Sequence, residues 1–289
     1  MNEFSINPLL KFSIAILFLG STISVNAQLK GDTYAKAKAQ KKGVITYAYV
    51  NTPGFIEKSS DGKMKGLLVE TMKKFEEYVK TKEGIALTVK FVGTPKDDFK
   101  KMMDDVKQGS GGVFGLSNIT ITQARMKYYR FSPAYISNKS VVVSNKSVPT
   151  LTKLNDISST FKGKEAIIIK GGTYDFRIQD IKKAYYPTLK VGYLPSEMEI
   201  LKKISQDQNA FTIVDFIYYL RGIQDKLPIK RHPSGDGEKE EFGVIMPKSN
   251  DWSPLLKDFF NSGFLRSSEY RKIIADNLGT TALQLIDSL

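Results

Sequence analysis

The sequence of 289 residues contains no cysteine, a single histidine (His232) and a single tryptophan. The missing thiols exclude thiol catalysis, Cys-ligated zinc and iron–sulfur clusters, and no disulfide can support the fold. One histidine without cysteine makes a poor metal site, so His232, in the polar segment PIKRHPSGDGEKEE, reads as a hinge or surface residue rather than a ligand. Arginine is also scarce: of the 43 basic residues seven are Arg and 36 are Lys. The lysines lie beside Glu and Asp, as in KMKGLLVETMKKFEEYVKTKE, so the net charge of +13 describes a solvated surface rather than a nucleic-acid face. Weak attraction to an anionic membrane or glycan is the alternative. No metal, cofactor or nucleic-acid partner is expected.

Long apolar runs are missing too. The longest near the N-terminus, FSIAILFLG after Lys11, falls short of the about 20 residues that a membrane span needs. It precedes STISVNAQ, in which Val25 and Ala27 are the small residues of a signal-peptide cut after Ala27. The expectation is a signal peptide over residues 1–27 and a mature chain that starts at Gln28 in the periplasm. No cysteine follows the apolar run, so a lipoprotein is not expected. The rival, an uncleaved anchor, is disfavoured by the polar Ser21-Thr22 pair.

What is present is a strand–helix alternation. GVITYAYV reads as a buried strand, and NTPGFIEKSSDGK as loop or hairpin through its Asp61-Gly62 pair. In GLLVETMKKFEEYVKTKEG, Met72, Phe75 and Val79 share one helical face and Gly84 ends the helix. IALTVKFVGT is a strand by alternation, and DDFKKMMDDVKQG is an amphipathic helix closed by Gly109. After RFSPAY, the β-branched run NKSVVVSNKSVPT resembles a crossing between lobes, and a second α/β block follows from KEAIIIKGGTYDF through the capping box Ser196 to Glu199. FGVIMPKSND is a strand, and the helical tail breaks near Gly263. The order implies an α/β protein with largely parallel sheets.

Each block has a strand that ends in a turn opening a helix: ITIT before QAR, and IIIK before GGTYDF. Helix starts present unpaired N–H groups that hold anions. Arg125 offers two parallel donors suited to a carboxylate; a local surface salt bridge would explain it equally well. Asp215 interrupts the strand-like run AFTIVDFIYYL, where a carboxylate must either face a cleft or meet a Lys in an internal ion pair. Facing each other across a cleft, the two would grip a small zwitterion. Asp104-Asp105 and Glu240-Glu241 read as solvated faces, GGVFG and IIIKGG lack the phosphate-loop pattern, and KYYRFSPAY reads as packing between lobes.

These residues carry a resemblance. DGKMKGLLVE, ITITQARMKYYRFSPAY, FKGKEAIIIKGGTYDF, AFTIVDFIYYL and EFGVIMPKSND are similar to segments of the family 3 bacterial solute-binding proteins of polar amino-acid uptake, the type-II periplasmic binding proteins, over about residues 43–288. The resemblance implies a two-lobed α/β fold, each lobe a mostly parallel sheet flanked by helices. Residues 40–142 with 238–289 would form one lobe and 147–232 the other, with hinge crossings near 141–147 and 231–237. It implies a monomer without catalytic residues that hands its ligand to an ABC importer. Carried over, Arg125 would bind the ligand α-carboxylate with Thr120, Thr122 and the amide of Thr173. Asp215 would bind the α-ammonium beside the Asn118 carbonyl, and Tyr49 and Phe55 would flank the side chain. The chain departs from the pattern at Leu68, where an acid is usual although Glu70 keeps the second acid, and at Tyr49 and Tyr174, which put side-chain specificity in doubt. Some relatives of this fold are cyclohexadienyl dehydratases, so a periplasmic enzyme and a free-standing sensor are the rival functions.

Overall fold

The computed structural model describes residues 28–288; the expected signal peptide, residues 1–27, lies outside them. The first block opens with α1 (Tyr34–Gln40), capped by the Thr33 side chain, and β1 (Lys42–Tyr49). A small hairpin, β2 (Glu57–Lys58) and β3 (Met64–Lys65), turns at Asp61-Gly62. Then come α2 (Leu67–Glu83), β4 (Ala86–Gly93), α3 (Phe99–Gln108), β5 (Val113–Leu116), the single turn α4 (Gln123–Met126) and β6 (Tyr129–Phe131).

The long β7 (Ile136–Asn145) leads to α5 (Ile157–Thr160), β8 (Glu165–Ile168), α6 (Thr173–Tyr185) and β9 (Lys190–Tyr193). They are followed by α7 (Glu197–Gln206), β10 (Ala210–Asp215), α8 (Phe216–Gln224) and β11 (Ile229–Arg231). The chain returns through β12 (Lys239–Phe242) to β13 (Ile245–Pro247) and ends in α9 (Ser253–Asn261), α10 (Ser268–Leu278) and α11 (Thr280–Ser288).

Two sheets result, with strand orders β4-β1-β5-β13-β6 and β11-β7-β10-β8-β9. Both are mixed. The β4-β1-β5 and β10-β8-β9 runs are parallel, whereas β13 and β7 enter antiparallel, because each comes into its sheet directly from the link with the other lobe. The link between the sheets is itself a strand pair: Lys239, Glu240, Glu241 and Phe242 of β12 face Lys139, Asn138, Ser137 and Ile136 of β7. Beyond it, β7 from Ser140 to Ser144 already pairs with β10, so residues 141–145 are part of the second sheet.

Helix α2 shows why the sequence pattern works. Met72, Phe75 and Val79 are fully buried, with Phe75 set edge-on to Phe114 (6.1 Å) and against Phe259 of α9 (5.8 Å). Each such side chain contributes about 1.5–3 kcal/mol on burial. The helix starts at Gly66, whose φ of +119° lies outside the range of L side chains, and a Cβ there would meet the Phe55 carbonyl oxygen at 2.5 Å. Gly84 ends it at φ +66°. At the other end of the chain, the break near Gly263 (φ +94°) separates α9 from α10. The sole tryptophan, Trp252, is fully buried and donates from Nε1 to the Asp32 carbonyl at 2.8 Å, tying the C-terminal helices to the first turn of the chain.

His232 proves to be neither surface nor hinge-exposed: it is fully buried in the second lobe. Its Nδ1 accepts the Leu151 N–H (3.0 Å) and its Nε2 lies 2.7 Å from Ser144 Oγ, with the Phe161 ring edge-on at 5.0 Å. Burial, helped by the charge of Lys230, pushes its pKa down to about 4. The ring is therefore a neutral core group that satisfies a backbone donor. The Asp104-Asp105 pair behaves as a solvated face, each acid bridged to the lysine four residues earlier, Lys100 and Lys101.

Candidate functional site

A cavity of about 50 Å³ lies between the lobes, lined by Phe99, Asn118, Thr120 and Arg125 of the first and by Thr173, Tyr174, Glu197 and Asp215 of the second. The first lobe approaches it through the segment after β5. ITIT is not a strand as expected: β5 is the preceding VFGL, and Thr120 makes only an isolated bridge to Phe242. Freed from a ladder, the segment spends its side chains on capping and on the cavity. Thr122 caps α4 by accepting the Arg125 N–H at 3.2 Å. That turn aims the Arg125 guanidinium inward, where it donates to the Thr120 carbonyl at 3.0 Å and stacks over Phe99 at 5.7 Å. Its contacts are thus a neutral carbonyl and a ring, and burial pulls its pKa below the usual value. An anion is what this fork lacks.

The second lobe contributes Asp215, which ends β10; the apolar run AFTIVDFIYYL is half strand and half helix, with Asp215 at the junction. Its side chain does not cap α8 but turns into the cavity, 2 % exposed. Oδ1 accepts from Asn138 Nδ2 (2.8 Å) and from the Tyr174 hydroxyl, and Oδ2 accepts from Asn118 Nδ2. No cation reaches it. The internal ion pair to lysine that would make Asp215 merely structural does not form among the described residues. Burial first, then the charges of Glu197 and Glu240, raise its pKa well above the usual carboxylate range.

Two further acids join it. Glu197, the first residue of α7, accepts from Asn118 Nδ2 at 3.1 Å, and Glu240 Oε2 of β12 lies 3.0 Å from the Tyr174 hydroxyl, whose single proton it shares with Asp215. Burial raises both pKa values. For Glu240 this overturns the solvated reading: the alternation of β12 turns Glu240 inward and leaves its neighbour Glu241 exposed. Neutral donors space the acids, and no group of three His, Asp or Glu among the described residues could hold a metal.

The structure brings Arg125, Asp215, Asn118, Thr120, Thr173 and Tyr174 to one cavity. The Thr173 hydroxyl donates to Thr120 Oγ1 across the cleft at 3.2 Å, and Gly172 and Thr173 start α6 at its wall. Asn118 presents its side-chain amide, oriented because Ser117 Oγ donates to its Oδ1 at 3.0 Å. Thr122 lies outside, on a hollow of about 480 Å³ on the far side of Arg125 with Met103, Tyr128 and Phe176. Tyr49 and Phe55 are not on the cavity wall. Tyr49 packs on Phe91 (6.4 Å), and Phe55, fully buried, packs on Tyr218 (6.2 Å) and Phe242 (6.0 Å). Both rings are absorbed by the core because the cleft wall is built instead from Phe99, Ile169, Ile200 and Ile213.

The fold around this cavity has known relatives: the model of the bacterial extracellular solute-binding proteins, family 3, matches residues 45–279. The chain belongs to this family. No curated protein sequence matches it, but solved structures do. The solute receptor for L-cysteine of Neisseria gonorrhoeae is 19 % identical, with a TM-score of 0.67 over 85 % of this chain and 93 % of the receptor. An ABC uptake transporter substrate-binding protein from Streptococcus pneumoniae with bound histidine is 18 % identical, with a TM-score of 0.66 over 86 % and 96 %. An ancestral amino-acid-binding protein, a precursor of cyclohexadienyl dehydratase, is 15 % identical, with a TM-score of 0.65 over 84 % and 98 %. At these identities the likeness establishes the fold. The family 3 pattern of two acids after the hairpin is half kept here: Leu68 is fully buried, and Glu70 accepts from Asn277 Nδ2 of α10 at 2.8 Å.

Proposed function

We propose that the protein is an extracytoplasmic solute-binding protein that captures a small zwitterion, an amino acid, between its lobes and delivers it to the membrane subunits of an ABC importer. The observation that carries this reading is the polarity of the cavity. At one end Arg125 makes no ion pair among the described residues; at the other Asp215 meets neutral donors alone. An α-carboxylate at Arg125, beside Thr120, Thr173 and the start of α6, and an α-ammonium at Asp215 would complete both. Binding of each charge contributes about 1.5–3 kcal/mol per charged hydrogen bond. Because the contacts come from both lobes, the ligand favours the closed arrangement, with the paired strands of β7 and β12 as the crossing about which the lobes turn. The family relationship supports capture of a small ligand outside the cytoplasm; action as a monomer is part of the proposal.

The test is a thermal-shift panel of the twenty amino acids and a set of small organic acids on the chain from Gln28, stripped of ligand by unfolding and refolding. A ligand at 100 times its Kd adds about 2.7 kcal/mol. The expected result is a shift with a group of L-amino acids that falls to about half or less in Arg125→Ala and in Asp215→Ala. Shifts confined to acids without an ammonium would refute the zwitterion.

One observation favours a second reading. Buried carboxylates with raised pKa values in a cavity are what a general acid requires, and Glu197 and Asp215 fit that description. Turnover of prephenate or arogenate would establish the enzyme; its absence alongside amino-acid binding leaves the binder.

A further inference from the structure

Asn118 Nδ2 is shared by Glu197 and Asp215, and the Tyr174 hydroxyl by Asp215 and Glu240, so one chain of polar contacts joins the two carboxylates of the cavity wall to Glu240 of β12. Glu197 is 7 % exposed, lines the cavity and makes no ion pair among the described residues. Ser196, not Glu197, caps α7, and the exposed Glu199 already serves the positive end of the helix, so the first turn does not account for burying Glu197. A buried carboxylate with only neutral partners, here the Asn118 amide and its own backbone N–H, is costly unless a cation reaches it.

We propose that Glu197 is a ligand-contacting residue, pairing with Asp215 to form a two-carboxylate seat for the ammonium group of the bound amino acid. The proposal rests on the zwitterion reading and adds a residue to it. With the carboxyl group of Asp215 already accepting from Asn138, Asn118 and Tyr174, little of its lone-pair capacity is left, and a tetrahedral ammonium with three N–H donors needs a second acceptor. Glu197 supplies it from the same side of the cavity.

The seat has a consequence for protons. The groups that face it are Tyr174 of α6, Glu240 of β12, Tyr135 before β7, Tyr218 of α8, and, at the cavity mouth and behind Tyr174, Arg125 and Arg177; none forms an ion pair with Glu197 or Asp215. Two carboxylates joined through one amide in a buried site do not both stay ionised, so the seat retains a proton until a cation enters. Binding of the ammonium displaces it. Affinity therefore rises with pH through the acidic range, by a factor of about ten for each pKa unit over which the proton must otherwise be driven off.

The experiment measures the twenty L-amino acids by thermal shift at pH 5 and pH 8. Every amino acid that shifts the melting temperature is then titrated calorimetrically in two buffers of different ionisation enthalpy, against wild type, Glu197→Gln and Glu197→Asp. The expected result is release of protons on binding, tighter binding at pH 8, loss of most of the release with at least about a tenfold loss of affinity in Glu197→Gln, and partial retention in Glu197→Asp. Binding without proton release and with unchanged affinity in Glu197→Gln overturns the seat and leaves the zwitterion reading intact. Failure of every amino acid at both pH values overturns both. If Glu197→Gln does not fold, Glu197→Asp takes its place: less proton release and weaker binding than wild type support the seat, and wild-type values for both refute it.

Discussion

His232 offers a sharp quantitative test because it is the single histidine and is fully buried. In the native protein its neutral ring accepts from the Leu151 amide, a bond that protonation of Nδ1 would destroy. Its folded pKa is about 4, against a usual value of 6.5. Between those values the unfolded chain carries the extra proton, so stability rises with pH across that window and is lost as pH falls through it. Integrated between pH 7.5 and pH 4.5, the loss assigned to this ring is about 2.5 kcal/mol. The acids of the cleft have raised pKa values and work in the opposite sense, stabilising the native state at low pH and losing that contribution as pH rises. The assay therefore compares slopes rather than absolute values. Urea denaturation of ligand-stripped wild type and His232→Gln is followed at pH 7.5, 6.5, 5.5 and 4.5. The variant should be less stable at pH 7.5, and the difference from wild type should shrink by about 2.5 kcal/mol by pH 4.5. A constant difference at all four pH values would refute the claim that the ring is held neutral.

Arg125→Ala is expected to lower ligand affinity about 10- to 100-fold with an unchanged unliganded melting temperature, and Arg125→Lys to recover part of it, since a point charge cannot replace the fork; calorimetric titration reads both. Gly66→Ala, at φ +119° with the Phe55 carbonyl 2.5 Å from the new Cβ, should cost at least about 2 kcal/mol in denaturant unfolding. Trp252→Phe deletes the bond to the Asp32 carbonyl and leaves that group and part of a cavity behind, which should cost about 2–4 kcal/mol, seen as a lower urea midpoint without a change in ligand affinity.

The fold and one half of the site were legible because they rest on local rules. Alternation and helical spacing identify β1, α2, β4 and α3, and a charged residue inside an apolar run marked Asp215. What escaped depends on long-range geometry. Glu197 lies next to a helix cap and looks like one more acid of a first turn; only the approach of Asn118, 79 positions earlier in sequence, brings it to the cavity. Glu240 sits in the string KEE, where charge suggests water, and its inward turn follows from pairing with β7. Tyr49 and Phe55 show the converse: aromatic rings near a strand end serve a cleft or a core equally well, and here Phe91, Tyr218 and Phe242 claim them. The reading of His232 as hinge or surface failed for a similar reason, since the polar letters around it hide the apolar Phe161 that covers the ring.

The β7–β12 strand pair also sets the mechanics of the cleft. Glu240 is on that pair, whereas Asn118 and Glu197 are carried by opposite lobes, Asn118 two residues before the Thr120 bridge to Phe242. For rotation about the pair, Glu240 sits at the fulcrum with almost no lever arm, while Asn118 and Glu197 are carried by different lobes. The same small angle that leaves Glu240 beside Tyr174 would pull Asn118 and Glu197 apart. A contact made at the fulcrum is the same in both positions; a contact made between the lobes, such as Asn118 with Glu197, is the one that can tell open from closed.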